Sequence, residues 1–353
     1  MAENRSTYLV GGWLFVRLLG LAYLCAFWSL AQQVIGLIGQ DGILPAREYM
    51  QMLGSAADAQ HIGWDRFHIV PTLMWVSTND AVLQGLCAAG AVLGALLAAG
   101  AAPALLLPLL WVMYLSLAVV CREFLSYQWD ALLLEVGLLA IPLARWTGWD
   151  RFSRAVDPPR LARLATMVAV ITFPASVATL AGQMGVELPG AALMFPVMRA
   201  IDPFRSVNPY GLFAVMTTTR PEIVVEGSRD GMTWLAYEFR HKTGDEHRRP
   251  SWVAPFQPRL DWQMWFAALG HYDQDVWFQR FCLRLLQGSP SVLALLADDP
   301  FQGRPPQFVR GTLYRYRFAE ATAHVKAGAW WTREPIGPYS PVLSIGGSGQ
   351  ASR

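Results

Sequence analysis

The chain has 353 residues, of which 54% are hydrophobic and only 15% charged, with a formal net charge of +2. Soluble domains carry about one quarter charged residues, so this composition points to a membrane protein. So small a net charge leaves no massed basic face of the kind nucleic acid requires.

Two further counts narrow the chemistry. The only lysines are Lys242 and Lys326, so no lysine-dependent step can be housed in the first half. The four cysteines, Cys25, Cys87, Cys121 and Cys282, form no C-x-x-C pair, which disfavours a thiol-exchange or zinc site. No cofactor is expected.

Five apolar stretches are predicted as spans: 18–38, 81–99, 104–120, 131–144 and 164–181. Crossing the hydrocarbon core takes roughly 20 helical residues. The fourth stretch is short and carries Glu135, so it is expected to tilt, thin the bilayer or re-enter. The first is too long for a signal peptide, and no small-x-small cleavage pattern follows it. Charged residues within spans are costly and usually face a protein interior. Arg17, near the end of its helix, has a stem long enough to reach the interface. Glu135 has none, which makes it the stronger candidate for an intramembrane role.

Orientation follows from the arginines. Arg145, Arg151, Arg154, Arg160 and Arg163 lie between the fourth and fifth stretches, against Asp150 and Asp157. Short basic loops stay cytoplasmic. The N-terminus is therefore expected inside and everything after Gly182 outside. The loop 39–80 reads as non-cytoplasmic with short interfacial helices carrying Trp64, Phe67 and Trp75, and Tyr127 and Trp129 fit an outer aromatic belt.

Beyond Asp202 the periodicity changes. Residues 210–216 and 223–226 are predicted strands, and Ser228-Arg229-Asp230-Gly231 a turn from which 232–240 returns. A Pro-punctuated coil at 248–258 precedes helices at 261–269, 275–287 and 291–298. The second of these places Trp277, Phe278, Phe281 and Leu285 on one side. Residues 308–318 alternate Tyr314, Tyr316 and Phe318 with Arg315 and Arg317, the pattern of a half-exposed strand. The domains expected are a transmembrane helical region at 1–182, a connector at 183–204, a β-rich soluble domain with appended helices at 205–336, and a loose tail at 337–353.

Catalytic signatures are sparse. The pairs Asp273/Asp275 and Asp298/Asp299 fit capping or loop solvation. None of the six histidines has the i, i+4 spacing of a zinc helix, and G-x-S-x-G is missing. The Arg- and Trp-rich stretch 248–265 is either a packed surface or a partner-binding patch. Within it, Asp261 is expected to cap the following helix, with Trp262, Trp265 and Phe266 buried on one face. Arg259 is expected to bridge to Glu226 or Glu238. Arg220, Glu226, Arg259, Asp261, Trp262 and Trp265 are the candidate partner-binding or structural set, with Glu135 and Arg17 the intramembrane candidates.

Several long motifs resemble the lipase maturation factor family. They are WLFVRLLGLAYLCAFWSL and QVIGLIGQDGILP within 13–45, FLSYQWDALLLEVG at 124–137, the block 208–270, LYRYRF at 313–318 and WWTREPIGPY at 330–339. The resemblance implies a polytopic membrane protein whose animal members reside in the endoplasmic reticulum and assist folding and assembly of secreted lipases. The Arg-rich, Lys-poor usage suggests a bacterial relative, in the inner membrane. Typical members carry further helices between the counterparts of Arg145 and Leu164, where this chain has a short loop.

The expected fold class is thus a polytopic α-helical membrane protein of about five spans with a C-terminal β-rich α+β soluble domain. The expected role is a non-enzymatic folding or maturation factor that engages a client protein or partner membrane protein. An integral-membrane enzyme acting on a lipid or peptide, distantly similar to vitamin-K-dependent carboxylases, is one alternative; a structural subunit of a membrane complex is another.

Overall fold

The computed structural model describes residues 8–144, 148–149, 158–186, 188–209, 217–320, 328–345 and 351–352. The predicted strand at 210–216 lies outside these. The described helices are α1 (Tyr8–Ala31), α2 (Val34–Ile38), α3 (Ala46–Ala59), α4 (Arg66–Ile69), α5 (Asp80–Ala99), α6 (Pro103–Val120), α7 (Gln128–Ala140), α8 (Pro158–Gln183), α9 (Phe195–Ile201), α10 (Arg259–Ala267), α11 (Val276–Gln287) and α12 (Pro290–Leu293). The strands are β1 (Arg220–Ser228), β2 (Leu235–Ala236), β3 (Phe308–Phe318), β4 (Trp331–Pro338), β5 (Leu343–Ile345) and β6 (Ala351–Ser352). Two compact units interleave along the chain. One comprises Met1–Ala31, Met50–Ser77 and Gln84–Ala214; the other comprises Gln32–Tyr49, Thr78–Leu83 and Val215–Arg353.

Val10–Ala31, Asp80–Ala99, Pro103–Val120 and Thr166–Gln183 are long and apolar enough to cross a membrane; all lie in the first unit except the first four residues of Asp80–Ala99. The fourth predicted stretch forms α7, 13 residues followed by a 3-10 turn at Ile141–Leu143. At 1.5 Å per α residue and 2.0 Å per 3-10 residue it reaches about 26 Å, just short of a 30 Å core. It nevertheless carries the chain back along the bundle, because Ala101 in the α5–α6 turn bridges to Trp149 and Ala102 N–H donates to the Gly148 carbonyl.

Helices α1 and α5 meet through glycine. A Cβ on Gly94 would come within 2.6 Å of the Leu24 backbone nitrogen, and one on Gly90 would strike the Phe27 ring. That is the close approach which small residues four apart permit between apolar helices. Tyr23 and Phe27 of α1 then pack edge-on against Tyr114 of α6, with ring centroids 6.1 and 5.2 Å apart.

The first predicted span needs correction. Instead of covering 18–38, α1 starts earlier and ends at Ala31, and residues 34–38 form α2 within the second unit. The cause is the Gln32-Gln33 pair. The Gln33 amide donates to the Gln257 carbonyl at 2.8 Å and accepts from Arg259 N–H at 2.8 Å, contacts a lipid-buried glutamine could not make. The rest of this early segment is held in the same unit. Gly42 C=O accepts from Arg284, and Asp41 C=O from Ser289 and Ser291.

The second unit is built on an antiparallel sheet of order β2-β1-β3-β5-β6, with β4 pairing the far half of β3. The hairpin expected after β1 is present, with Gly231 at φ +74°, but its return strand β2 is only two residues long. Asp230 binds that turn together. It accepts from Met232 and Thr233 N–H at 2.8 and 2.7 Å and from the Ser228 hydroxyl at 2.9 Å. Helix α11 buries Trp277, Phe278, Phe281, Cys282, Leu285 and Leu286, the stripe its i, i+3/i+4 spacing predicts.

Candidate functional site

A cavity of about 650 Å³ opens in the sheet unit. Its floor comes from alternate residues of β1. Arg220 and Glu222 project on one face, two positions apart as strand geometry requires, and Tyr316 stands opposite Arg220 on β3. The turn after residue 240 adds His241 and Lys242, the start of α10 adds Asp261, Trp262 and Trp265, and Thr217, Thr218 and Thr219 line the approach to β1. Arg315 and Arg317, which alternate with Tyr316 along β3 and so project from the opposite face of the strand, join the lining with Val253 and Pro258.

Beneath this lining lies a buried ion cluster. Glu222, its side chain 1% exposed, takes Arg220 Nε at 2.9 Å and Lys242 Nζ at 3.2 Å. Lys242 is itself 3% exposed and donates to the Thr243 carbonyl at 2.9 Å. Burying a charge is tolerable only when it is paired and hydrogen-bonded; Glu222 Oε1 accepts from Arg220, while Oε2 is ion-paired with Lys242 but takes no hydrogen bond among the described residues. Tyr316 closes the cluster, its hydroxyl donating to the Gly244 carbonyl at 2.7 Å and accepting from Arg333. Burial raises the Tyr316 pKa above its ordinary value, against the opposing pull of Arg333.

Four of the sequence candidates therefore line one cavity: Arg220, Asp261, Trp262 and Trp265. The other two lie elsewhere. Glu226 is paired with Arg310 at 2.9 Å and also accepts from Thr312. Arg259, fully buried, engages Gln257 through its guanidinium and Gln33 through its N–H, while Glu238 takes Arg248 at 3.4 Å. The contacts of Glu226 and Glu238 are thus with Arg310 and Arg248, the arginines their own strands and turns bring near.

Two local expectations change. Pro258 holds the cap position of α10, which places Asp261 inside the first turn. From there its carboxylate accepts the N–H groups of His241 and Lys242, each at 2.7 Å, and so fixes the turn that supplies the lysine. The buried residues of α10 are Arg259, Leu260, Asp261, Met264 and Ala267, whereas Trp262, Trp265 and Phe266 are half-buried.

Glu222 and Lys242 escaped the sequence reading. The available signals were a lysine in a nearly lysine-free chain and an Arg-x-Glu pair directly before the apolar run 223–225. In the helical unit, Glu135 is half-buried and accepts from Asn208 Nδ2 at 3.1 Å, while Arg17 stacks over Trp13 at 4.1 Å. Asp130, also missed, is buried in α7 and accepts from the Tyr114 hydroxyl at 2.5 Å. Among the described residues no three His, Cys, Asp or Glu side chains group as metal ligands.

Helices able to cross a membrane, followed by an antiparallel-sheet unit with an ion-lined cavity, define a membrane protein with a folded appended domain. Residues 10–180 match the lipase maturation factor transmembrane domain, and residues 206–341 match the lipase maturation factor C-terminal domain. The chain belongs to the lipase maturation factor family and is a multi-pass membrane protein. Chicken (Gallus gallus) lipase maturation factor 2 is 37% identical over 243 residues, covering 67% of this chain and 33% of the relative. Factor 2 of Xenopus tropicalis is 43% identical over 157 residues, 42% of this chain and 22% of the relative. Cattle (Bos taurus) lipase maturation factor 1 is 26% identical over 494 positions, covering 93% of this chain and 88% of the relative. The last alignment is longer than this whole chain, so that relative carries additional residues within the matched region. The chain matches only about a third or less of the factor 2 relatives' length. No solved structure matches.

Proposed function

We propose that this protein is a membrane-anchored maturation factor whose sheet unit receives a lipase-like client polypeptide outside the cytoplasm and assists its folding. The observation that carries this reading is the match of both the helical region and the sheet unit to the two domains of one family. The lining agrees with a polypeptide ligand, since it combines ion pairs, hydroxyls and tryptophans.

Five crossings fit the chain path. Residues 32–49 and 78–83 share a unit with the C-terminal region, which supports one side of the membrane for all three. The bridge from Ala101 to Trp149 brings the far end of α7 to the α5–α6 turn, which supports a common side for the two, opposite the first. Helix α8 then leads back to the first side. The arginines between α7 and α8 favour the cytoplasm for the α5–α6 turn and hence the exterior for the sheet unit.

Deleting the gene in its native host should lower the activity of a secreted lipase while leaving its transcript unchanged. Undiminished lipase activity would sink the maturation role. A reporter fluorescent only in the cytoplasm should be dark when fused after Gly349 and bright when inserted at Gly148; the reverse pattern would overturn the orientation.

A further inference from the structure

We propose that the cavity of the sheet unit is an acidic-peptide site, which takes an extended polypeptide segment carrying a carboxylate beside an aromatic or apolar side chain. This rests on the maturation-factor reading, which calls for a polypeptide ligand, and adds to it a location and a recognition chemistry.

The charge argument is a matter of which groups are already spent. The two carboxylates in the lining are committed: Glu222 to Arg220 and Lys242, and Asp261 to two backbone N–H groups. Arg315 meets Glu334 only at 4.0 Å, with 42% and 64% of the two side chains exposed. Arg317 is exposed, and among the described residues it has no ion-pair partner. Arg315 and Arg317 therefore leave a cationic excess among the lining residues, on the face of β3 opposite Tyr316. Guanidinium groups bind carboxylates through paired, charge-assisted hydrogen bonds, the strongest that side chains make.

The second half of the site is aromatic. Trp262 and Trp265 stand one helical turn apart on α10, half-buried, with the indoles lining the same cavity as the arginines. Such rings give a ligand side chain apolar area at little entropic cost, and Trp beside Arg is the pairing that dominates protein interfaces. The threonines at 217–219 add hydroxyl donors and acceptors suited to a peptide backbone. Ion pairs and hydroxyls interrupt the apolar wall, which leaves no continuous surface for an acyl chain.

The test uses the full chain in detergent and a dye-labelled synthetic peptide, acetyl-Ser-Glu-Phe-Asp-Phe-Ser-amide, read by fluorescence anisotropy. Saturable binding is expected, weakened about tenfold when Glu and Asp become Gln and Asn, the size expected for one charge-assisted contact. The double variant Arg315→Gln/Arg317→Gln should weaken the acidic peptide about tenfold and leave the amide peptide unchanged. Trp262→Leu should weaken both peptides. Equal binding of the two peptides, or no saturable binding, would overturn the proposal even if a variant failed to fold, because both results come from the natural chain. Displacement of the peptide by inorganic phosphate or by phosphatidylglycerol vesicles would also overturn it, in favour of a free oxyanion or a lipid headgroup respectively. The binding assay contains no lipase. Its failure would leave the gene-deletion result standing, and an unaffected lipase in the deletion strain would leave the peptide result standing.

Discussion

The helical unit and the sheet unit are both rich in aromatic residues, but they differ in how far they rely on paired charges. In the helices, hydroxyls turn back on their own backbone: Ser116 donates to the Val112 carbonyl at 2.7 Å, Thr172 to Val168 at 3.0 Å and Ser176 to Thr172 at 2.8 Å. Such bonds satisfy a hydroxyl within one helix, although Ser116 also accepts from Leu73 N–H, and Asp130 and Glu135 accept from Tyr114 and Asn208 of other elements. In the sheet unit, charges reach across elements, as in Arg220–Glu222–Lys242, Arg310–Glu226 and Arg333–Glu246. Apolar packing anchors the first unit, whereas paired charge fixes register and shape in the second. The second is therefore the one able to present a specific chemical surface.

The largest test of that contrast is removal of a buried charge. Glu222→Ala would leave Lys242 buried without its carboxylate, which costs about 3–5 kcal/mol. Glu135→Gln in the helical unit should cost far less, because the new amide oxygen can still accept from Asn208. Thermal unfolding of the full chain in detergent compares the two directly. The full chain is required, because residues 32–49 belong to the sheet unit and a C-terminal fragment would lack them. Comparable midpoints for the two variants would erase the distinction between the units.

A smaller effect separates packing from recognition on α10. Met264 is fully buried and Trp262 is not, so Met264→Ala should cost about 2–5 kcal/mol while Trp262→Ala costs less despite removing a larger side chain. If Trp262→Ala proved the more damaging in the same unfolding measurement, the tryptophan would be a core residue and the cavity would lose its aromatic wall.

What the sequence made legible follows from how local each signal was. The turn at 228–231 could be read because Asp-Gly encodes it within four residues, and α11 because its apolar stripe repeats through three turns. The end of α1 was obscured by hydropathy averaging, which runs across Gln32-Gln33 into the apolar α2. The partner that explains this glutamine pair lies more than 200 residues away. Asp261 misled for a similar reason. A capping residue and a helix-borne acceptor for a distant turn have the same local pattern, and only the fold brings His241 and Lys242 to it. Arg220 and Lys242 meet at Glu222 across 22 residues of chain, so the site's residue types were visible and its assembly was not.

The smallest expected effect is one of pH, and it concerns the hairpin that begins at the end of β1. Asp230 is held well below the usual carboxylate range, chiefly by the N–H of Thr233, then by that of Met232 and the Ser228 hydroxyl. All three donate to the charged form, which is why they favour it. A carboxyl whose folded pKa is depressed contributes stability that is complete above its unfolded pKa, about 4, and is lost as pH falls toward the folded value. Asp230→Asn keeps an acceptor oxygen but loses the charge, so it should melt below the natural chain at pH 7. Because protonation gradually makes the aspartic acid resemble the amide, that gap should narrow below about pH 4. Melting curves of both proteins between pH 7 and pH 3 would show it. A gap that stayed constant across the series would mean that the turn gains nothing from the charge, and that Ser228 and Gly231 shape it by geometry alone.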